Sequence, residues 1–439
     1  MKRKITLILA LCMLCGTTAC TNKHSPSKKG ANVLRIASWD EYIDMGGEDS
    51  YYSADSKPIY EEFEAWYNKQ HPDHPITVEY VALQDNETMY NKIKMGDEYD
   101  LLCPSEYMAM KLKAEDKLLP FDSTFFDPSI EGNYYAQNVS AYTESIFKQT
   151  GLSEYIAGYM WGTTGFVYNP ERIGNSVEEA REIMSSWYCL TSEACKRKIT
   201  AKDNVRDSYF MGLGMYYEKE LLGLDPNAEN YAATLSQKMN DTSADTMSKV
   251  KSLLEKARRN LYGLETDEGK MDVAAGRLDA SYQWSGDGVY ILDMAEENDL
   301  FLEYSIPKSA SNLWFDGWVM MKDANKDAAT AFVNYISRPE NVVRNMYYIG
   351  YTSCLGGEEV YNYITDTYGA EEGDQTAVSY DLSYFFGEEF EPLVVPEEQT
   401  RRQLFAQYPD ALTKNRLVVM NYFTQEENER ANRMWNNIK

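Results

Sequence analysis

Short apolar runs alternate with helical stripes over the first part of the chain body. Val33-Leu34-Arg35-Ile36-Ala37-Ser38-Trp39 is rich in β-formers and predicts a strand. Ile59, Phe63 and Trp66 fall on one helical face and predict a helix over about 59–69, ended by Pro72 and Pro75. Ile76-Thr77-Val78-Glu79-Tyr80-Val81 predicts a second strand, about 87–95 a second helix, and Tyr99-Asp100-Leu101-Leu102-Cys103 a third strand. This βαβαβ order predicts an α/β lobe with a largely parallel sheet. Longer helices follow. Residues 248–260 carry Val250, Leu253 and Leu254 on one face, and 324–337 stop at Pro339. Glu371-Glu372-Gly373-Asp374 reads as an acidic surface loop. The last 40 residues read as helical, including 398–407 and 426–438.

The N-terminus differs in kind. Lys2, Arg3 and Lys4 precede an apolar run, Ile5 to Cys15, that is too short to span a bilayer. Residues 1–19 therefore read as a signal peptide. Gly16-Thr17-Thr18-Ala19-Cys20 resembles a bacterial lipobox, with Thr17 where leucine is usual, and implies a lipid on Cys20. Residues 20–31 are polar, offer no apolar face to bury, and read as a tether. About 410 residues remain, more than one core usually holds, which predicts two lobes. No other apolar run is long enough to cross a membrane.

Charge and rare residues narrow the chemistry. The formal net charge is −26, and removal of Lys2, Arg3 and Lys4 makes it more negative still. Such a surface repels nucleic acid and suits a cationic ligand. The three histidines, His24, His71 and His74, all lie in the first 74 residues. That removes histidine triads and histidine general bases from the rest of the body. His71-Pro72-Asp73-His74-Pro75 reads as a proline-punctuated turn rather than a metal loop. Cys103, Cys189, Cys195 and Cys354 match no zinc spacing. Export permits disulfides, and both Cys189–Cys195 and Cys103–Cys354 stay open.

Six segments, in order, resemble the spermidine/putrescine-binding proteins of ABC importers. They are Ser38-Trp39-Asp40-Glu41-Tyr42-Ile43; Asn86 to Lys94 with Tyr99 to Tyr107; Tyr159-Met160-Trp161-Gly162-Thr163-Thr164-Gly165; Trp284-Ser285-Gly286-Asp287; Leu313-Trp314-Phe315-Asp316; and Ser337 to Asn341 leading to Ile349-Gly350-Tyr351-Thr352. Loops at about 44–57 and 366–398 depart from shorter members. The resemblance implies the type II periplasmic-binding fold, an α/β chain of two lobes with ligand in the cleft between them. Crossings are expected near Trp161-Gly162, near Trp314 to Asp316 and near 361. Lobe 1 is then 32–161 plus 316–361, and lobe 2 is 162–315 plus 362–439. It also implies a monomer without catalytic residues, cofactor or metal, anchored outside the cytoplasm, that passes a polyamine to membrane permease subunits.

A polyamine is a string of ammonium groups joined by methylenes. An unpaired ammonium is costly to bury, so its ends need carboxylates, each worth about 4 kcal/mol at 4 Å before desolvation at an effective dielectric near 20. The methylenes suit flat aromatic walls, which also attract the ammonium. Sugars are served by the same pairing of Trp and Asp, so an oligosaccharide-binding protein of the same fold is the alternative. A secreted hydrolase with paired carboxylates has no recognisable motif here. By position, the resemblance assigns Trp284 and Trp314 as aromatic walls and Asp316, Asp287 and Asp207 as carboxylates. Trp39, Asp40, Tyr42, Ser105, Tyr107 and Tyr351 are further lining residues. Asn204 stands where spermidine-binding members carry aspartate, and Val419 or Met420 where the family has a cleft glutamine. An amide lacks the charge for a third ammonium, so these departures favour putrescine over spermidine.

Stable anchoring takes more than one acyl chain. Cys20→Ser is therefore expected to move the protein from the membrane fraction into the soluble fraction with ligand binding intact. Retention of the variant on membranes would refute the lipobox.

Overall fold

The computed structural model describes residues 26–30, 32–265 and 269–439. The signal segment, Cys20 and the start of the tether lie outside the described residues. The first lobe begins as expected, with β1 (Val33–Trp39), a helix over Ile59–Gln70, β2 (Thr77–Leu83) and a helix over Asn86–Lys94. Then come β3 (Leu101–Leu102), a helix over Glu106–Ala114 and β4 (Leu118–Leu119). β1 lies parallel to β2 on one side and to β3 on the other. The third strand is shorter than its apolar run, and the fully buried Asp100 beside it accepts from Arg35 N and Asn325 N at 2.8 and 2.7 Å.

The chain then runs through β5 (Ala157–Tyr168), whose twelve residues are all buried. The second lobe is built on β6 (Ile199–Lys202), β7 (Gly263–Glu265), β8 (Ala280–Trp284) and β9 (Glu303–Ser305). β10 (Ser311–Met321) returns antiparallel to β5, matching Leu313 with Thr163, Trp314 with Gly162 and Phe315 with Trp161. β11 (Thr352–Ser353) adds to β5. β12 (Ala377–Tyr380) and β13 (Leu393–Pro396) form a separate antiparallel pair, and β14 (Leu417–Val419) lies parallel to the start of β10. The continuous sheet runs β2-β1-β3-β10-β5-β8-β6-β7. Two long strands thus join an α/β lobe to an α/β lobe, the architecture expected.

One large core gathers Ile36, Phe63, Leu101, Trp161, Trp318 and Phe332, and another gathers Phe166, Trp187, Tyr209, Leu254, Tyr282 and Trp435. A smaller one holds Val289, Ile291 and Tyr304. The third passage is later than the sequence predicts. Tyr363, Ile364, Tyr380, Phe385, Val395 and Tyr408 all pack in the first core, whereas Val418, Met434 and Trp435 pack in the second. Phe405 and Ala406 already pack with Val289 and Ile291, so the change of sides is spread between Val395 and Val418 rather than near 361. The reason is aromatic: Phe385 and Tyr408 pack on Trp161 and hold the inserted segment there.

The helix read at 248–260 runs over Ala244–Asn260, capped by Ser243, and that read at 324–337 runs over Lys326–Ile336, capped by Asn325. The stretch 398–407 instead splits at Arg402, whose φ of −126° and ψ of −138° are not helical. The tether is shorter than expected. Ser27 N donates to Asp97 Oδ1 at 2.8 Å, and Lys28 and Lys29 pair with Glu98 and Asp100, both at 2.7 Å, so residues 26–30 lie along the first lobe. His71 stacks on Tyr67 within a turn. All four body cysteines are buried free thiols, so neither pairing forms.

The lobes meet across the cleft where Gly286 lies against Tyr351. A Cβ on Gly286 would sit 1.6 Å from Tyr351 Cδ1. Packed interiors do not absorb such overlap without movement. Gly286→Ala is therefore expected to hold the lobes apart and to raise the radius of gyration measured by small-angle X-ray scattering, with little change in melting temperature. An unchanged radius would show that Tyr351 gives way instead.

Candidate functional site

The crossing of β5 and β10 positions the central carboxylate. The strand register shifts between Asp316 and Gly317. Such a bulge re-aims the side chain next to it. Asp316 Oδ2 accepts from the Tyr42 hydroxyl at 2.7 Å and from Trp39 Nε1 at 3.1 Å. Asp316 Oδ1 is buried with no hydrogen-bond partner among the described residues. Burial pushes the Asp316 pKa up, against the pull of the Tyr42, Ser105 and Trp39 side chains. Ser105 bridges to Asp316 and is itself held by Asn86, whose Nδ2 donates to Ser105 Oγ at 2.9 Å.

Glu106, the next residue, was not singled out by the sequence. It is 2% exposed, and its Oε2 accepts from Phe315 N at 3.2 Å. Burial, with Asp316 nearby, pushes its pKa up to about 8. No lysine or arginine forms an ion pair with Asp316 or Glu106 among the described residues. Buried carboxylates without an ion-paired cation are costly, and the nearby Arg206 charge offsets Glu106 only in part.

The wall on the second lobe is different. Trp284 ends β8, and Asp287 lies in the first turn of the helix Ser285–Glu297. Lys202 Nζ sits 3.8 Å from the Trp284 ring centroid and 2.9 Å from Asp287 Oδ2. Lys270 Nζ takes Asp287 Oδ1 at 2.7 Å. Burial alone would raise the Asp287 carboxyl, but Lys202 and Lys270 together hold it below the usual carboxylate range. Burial lifts Asp207 to about 6, opposed by Lys202 and the Trp284 side chain. This wall neutralises itself.

Trp314 and Tyr351 join the two sides. Trp314 Nε1 donates to Thr163 O at 3.1 Å, and its ring lies 5.3 Å from that of Tyr351. Gly162 permits this, because a Cβ there would approach Trp314 Cζ2 to 2.7 Å. The Tyr351 hydroxyl donates to Asp287 Oδ1 at 3.2 Å. The buried Arg206 guanidinium lies against the rings of Tyr107 and Phe423, at 4.0 and 4.2 Å, and the Tyr107 hydroxyl faces Glu87 at 3.3 Å.

Ten of the residues assigned from sequence are therefore brought to one cleft: Trp39, Tyr42, Ser105, Tyr107, Asp207, Trp284, Asp287, Trp314, Asp316 and Tyr351. Two are not. Asp40 is exposed and accepts from Glu41 N, its own neighbour, at 3.2 Å. Asn204 is the cap of the helix Val205–Leu221, with its Oδ1 taken by Arg206 N and Asp207 N at 2.8 and 3.2 Å. Glu106, Lys202 and Arg206 were missed. An acid in a first helical turn and a cation at the end of a strand or start of a helix carry no sequence signal beyond ordinary capping and solvation. The described residues hold no group of three or more His, Cys, Asp or Glu suited to a metal. The cleft presents carboxylates and aromatic faces.

Residues 61–357 match the family model described as bacterial extracellular solute-binding protein. Over 293 residues the chain is 25% identical to the putrescine-binding periplasmic protein PotF of Escherichia coli, covering 64% of this chain and 71% of that one. It is also 25% identical over 349 residues to the putrescine-binding periplasmic protein SpuD of Pseudomonas aeruginosa, covering 77% and 82%. The structure superposes on the spermidine/putrescine ABC transporter substrate-binding protein PotD of Streptococcus pneumoniae with a TM-score of 0.60 and 24% identity, over 93% of this chain and 98% of that one. Two α/β lobes on a shared strand pair, a cleft floored by Asp316, and a family match over most of the length agree: the chain belongs to the bacterial extracellular solute-binding proteins.

Proposed function

We propose that the chain captures a linear polyamine, putrescine in preference to spermidine, in the cleft between its lobes and delivers it to the permease of an ABC importer. Capture is outside the cytoplasm, on a lipid anchor at Cys20, and involves no turnover. The observation that carries the reading is the pair Asp316 and Glu106, buried at the lobe crossing without an ion-paired cation and walled by Trp39, Tyr42, Trp314 and Tyr351. An ammonium placed there gains charge-assisted hydrogen bonds and aromatic faces at once. The curated relatives named as putrescine-binding support the same class. Fewer ammonium groups suit the site, since the second wall already carries its own cations and Asn204 is committed to its helix. Grip by both lobes favours the closed form, which is the difference a permease reads.

Isothermal titration with putrescine is expected to show 1:1 binding in wild type. Asp316→Asn should cost about 2 to 5 kcal/mol, roughly thirtyfold or more in Kd. Asp40→Asn, exposed, should change affinity little. Equal small losses in both would refute the placement, and no heat at millimolar putrescine, cadaverine and spermidine would refute the function.

The Glu106 pKa gives a pH test. In the free protein the group is largely neutral at pH 7, whereas an ammonium favours its carboxylate form. Asp316 and Arg206 face it from the neighbouring elements. Binding should therefore release a proton, and affinity should rise between pH 6.5 and about 8, where alkylammonium groups stay charged because their pKa is about 10. Titration in buffers of different ionisation enthalpy reads the proton directly. Heats independent of buffer, with flat affinity, would show that Glu106 takes no part.

A further inference from the structure

Lys202 closes the strand β6, and its side chain is 1% exposed. Its ammonium has a tryptophan face at 3.8 Å and a carboxylate oxygen at 2.9 Å, with Asp207 on the same wall. An aromatic ring, a carboxylate and exclusion of water are the surroundings an alkylammonium ligand would seek. Lys270 fills the other oxygen of the same carboxylate. Lys202 and Lys270 thus hold Asp287, and Lys202 also acts on Asp207, while Asp316 and Glu106 form no ion pair among the described residues and Glu106 has only the field of Arg206.

We infer that Lys202 is a built-in occupant of the cleft's second ammonium position and so determines specificity: the protein reads one terminal ammonium of a short linear amine, not two. The inference rests on the amine reading above and deepens it. A second ligand ammonium would meet the Lys202 charge in a site shut off from water. To take its place it would have to expel a buried lysine from Asp287 and from the Trp284 face. The strand fixes the lysine: β6 lies parallel to both β7 and β8, so Lys202 and Trp284, at the ends of neighbouring strands, stay side by side. The far end of a ligand is then bound through its methylenes against Trp314 and Tyr351.

Isothermal titration of putrescine and n-butylammonium, equal in carbon chain but not in charge, tests this. Wild type should bind n-butylammonium within about tenfold of putrescine. Lys202→Ala vacates the position, and its preference for putrescine over n-butylammonium should exceed that of wild type by about tenfold or more. Lys202→Met keeps the apolar stem, removes only the charge, and should shift the ratio the same way by about threefold or more. A wild-type preference for putrescine beyond about a hundredfold overturns the inference and leaves the amine reading standing, and this measurement needs no variant. A ratio unchanged in both variants also overturns it. Absence of heat from either amine with wild type overturns the amine reading and this inference together.

Discussion

The antiparallel pairing of β5 with β10 is the constraint on which the rest of the molecule depends. Each strand is buried nearly end to end and belongs to both lobes. A slip of one residue would turn every side chain to the opposite face, so the register is held by both cores at once. The bulge at Asp316 and Gly317 and the missing side chain at Gly162 are local departures from that regular ladder. Between them they seat one carboxylate and one indole at the point where the lobes pivot. A ligand there touches the element that both lobes share.

The electrostatics of the cleft follow from this placement. Carboxylates put at a crossing of two buried strands lose their water. On the first-lobe side hydrogen bonds and the Arg206 charge restore it only in part, and Glu106 and Asp316 are pushed toward their neutral forms. On the second-lobe side two lysines do restore it. The protein thus stores an unmet demand for positive charge at one end of the cleft and has met it internally at the other. Sites that bind tightly are often sites the empty protein holds at a cost.

Much of this was legible in the sequence, for reasons that are local. Alternation and helical spacing mark the βαβαβ order, and Leu313-Trp314-Phe315-Asp316 is legible as a segment of the family resemblance. What stayed hidden depends on distance along the chain. Lys202 meets Asp287 across 85 positions, and nothing near either residue records the meeting. Asn204 was legible only as a cleft residue, although its neighbours Val205 to Leu221 make it a helix cap. The hairpin of β12 and β13 lies in a stretch whose acidic turns read as loop, and its allegiance to the first core is set by aromatic contacts with Trp161 that no periodicity displays.

The four buried cysteines bear on how such a chain survives outside a reducing compartment. Burial pushes the thiols of Cys103, Cys189 and Cys354 well up, and that of Cys195 to about 11. Nucleophilic attack on a disulfide or a peroxide needs the thiolate, which the folded protein withholds. For these four cysteines, reactive sulfur is therefore offered to oxidants before folding and withheld after it. Cys103 at the end of β3 and Cys354 beside β11 lie in opposite halves of the sequence, so a crosslink made too early would fix a loop across both lobes. Burial of the four thiols, rather than disulfide chemistry, is the protection that the fold itself supplies.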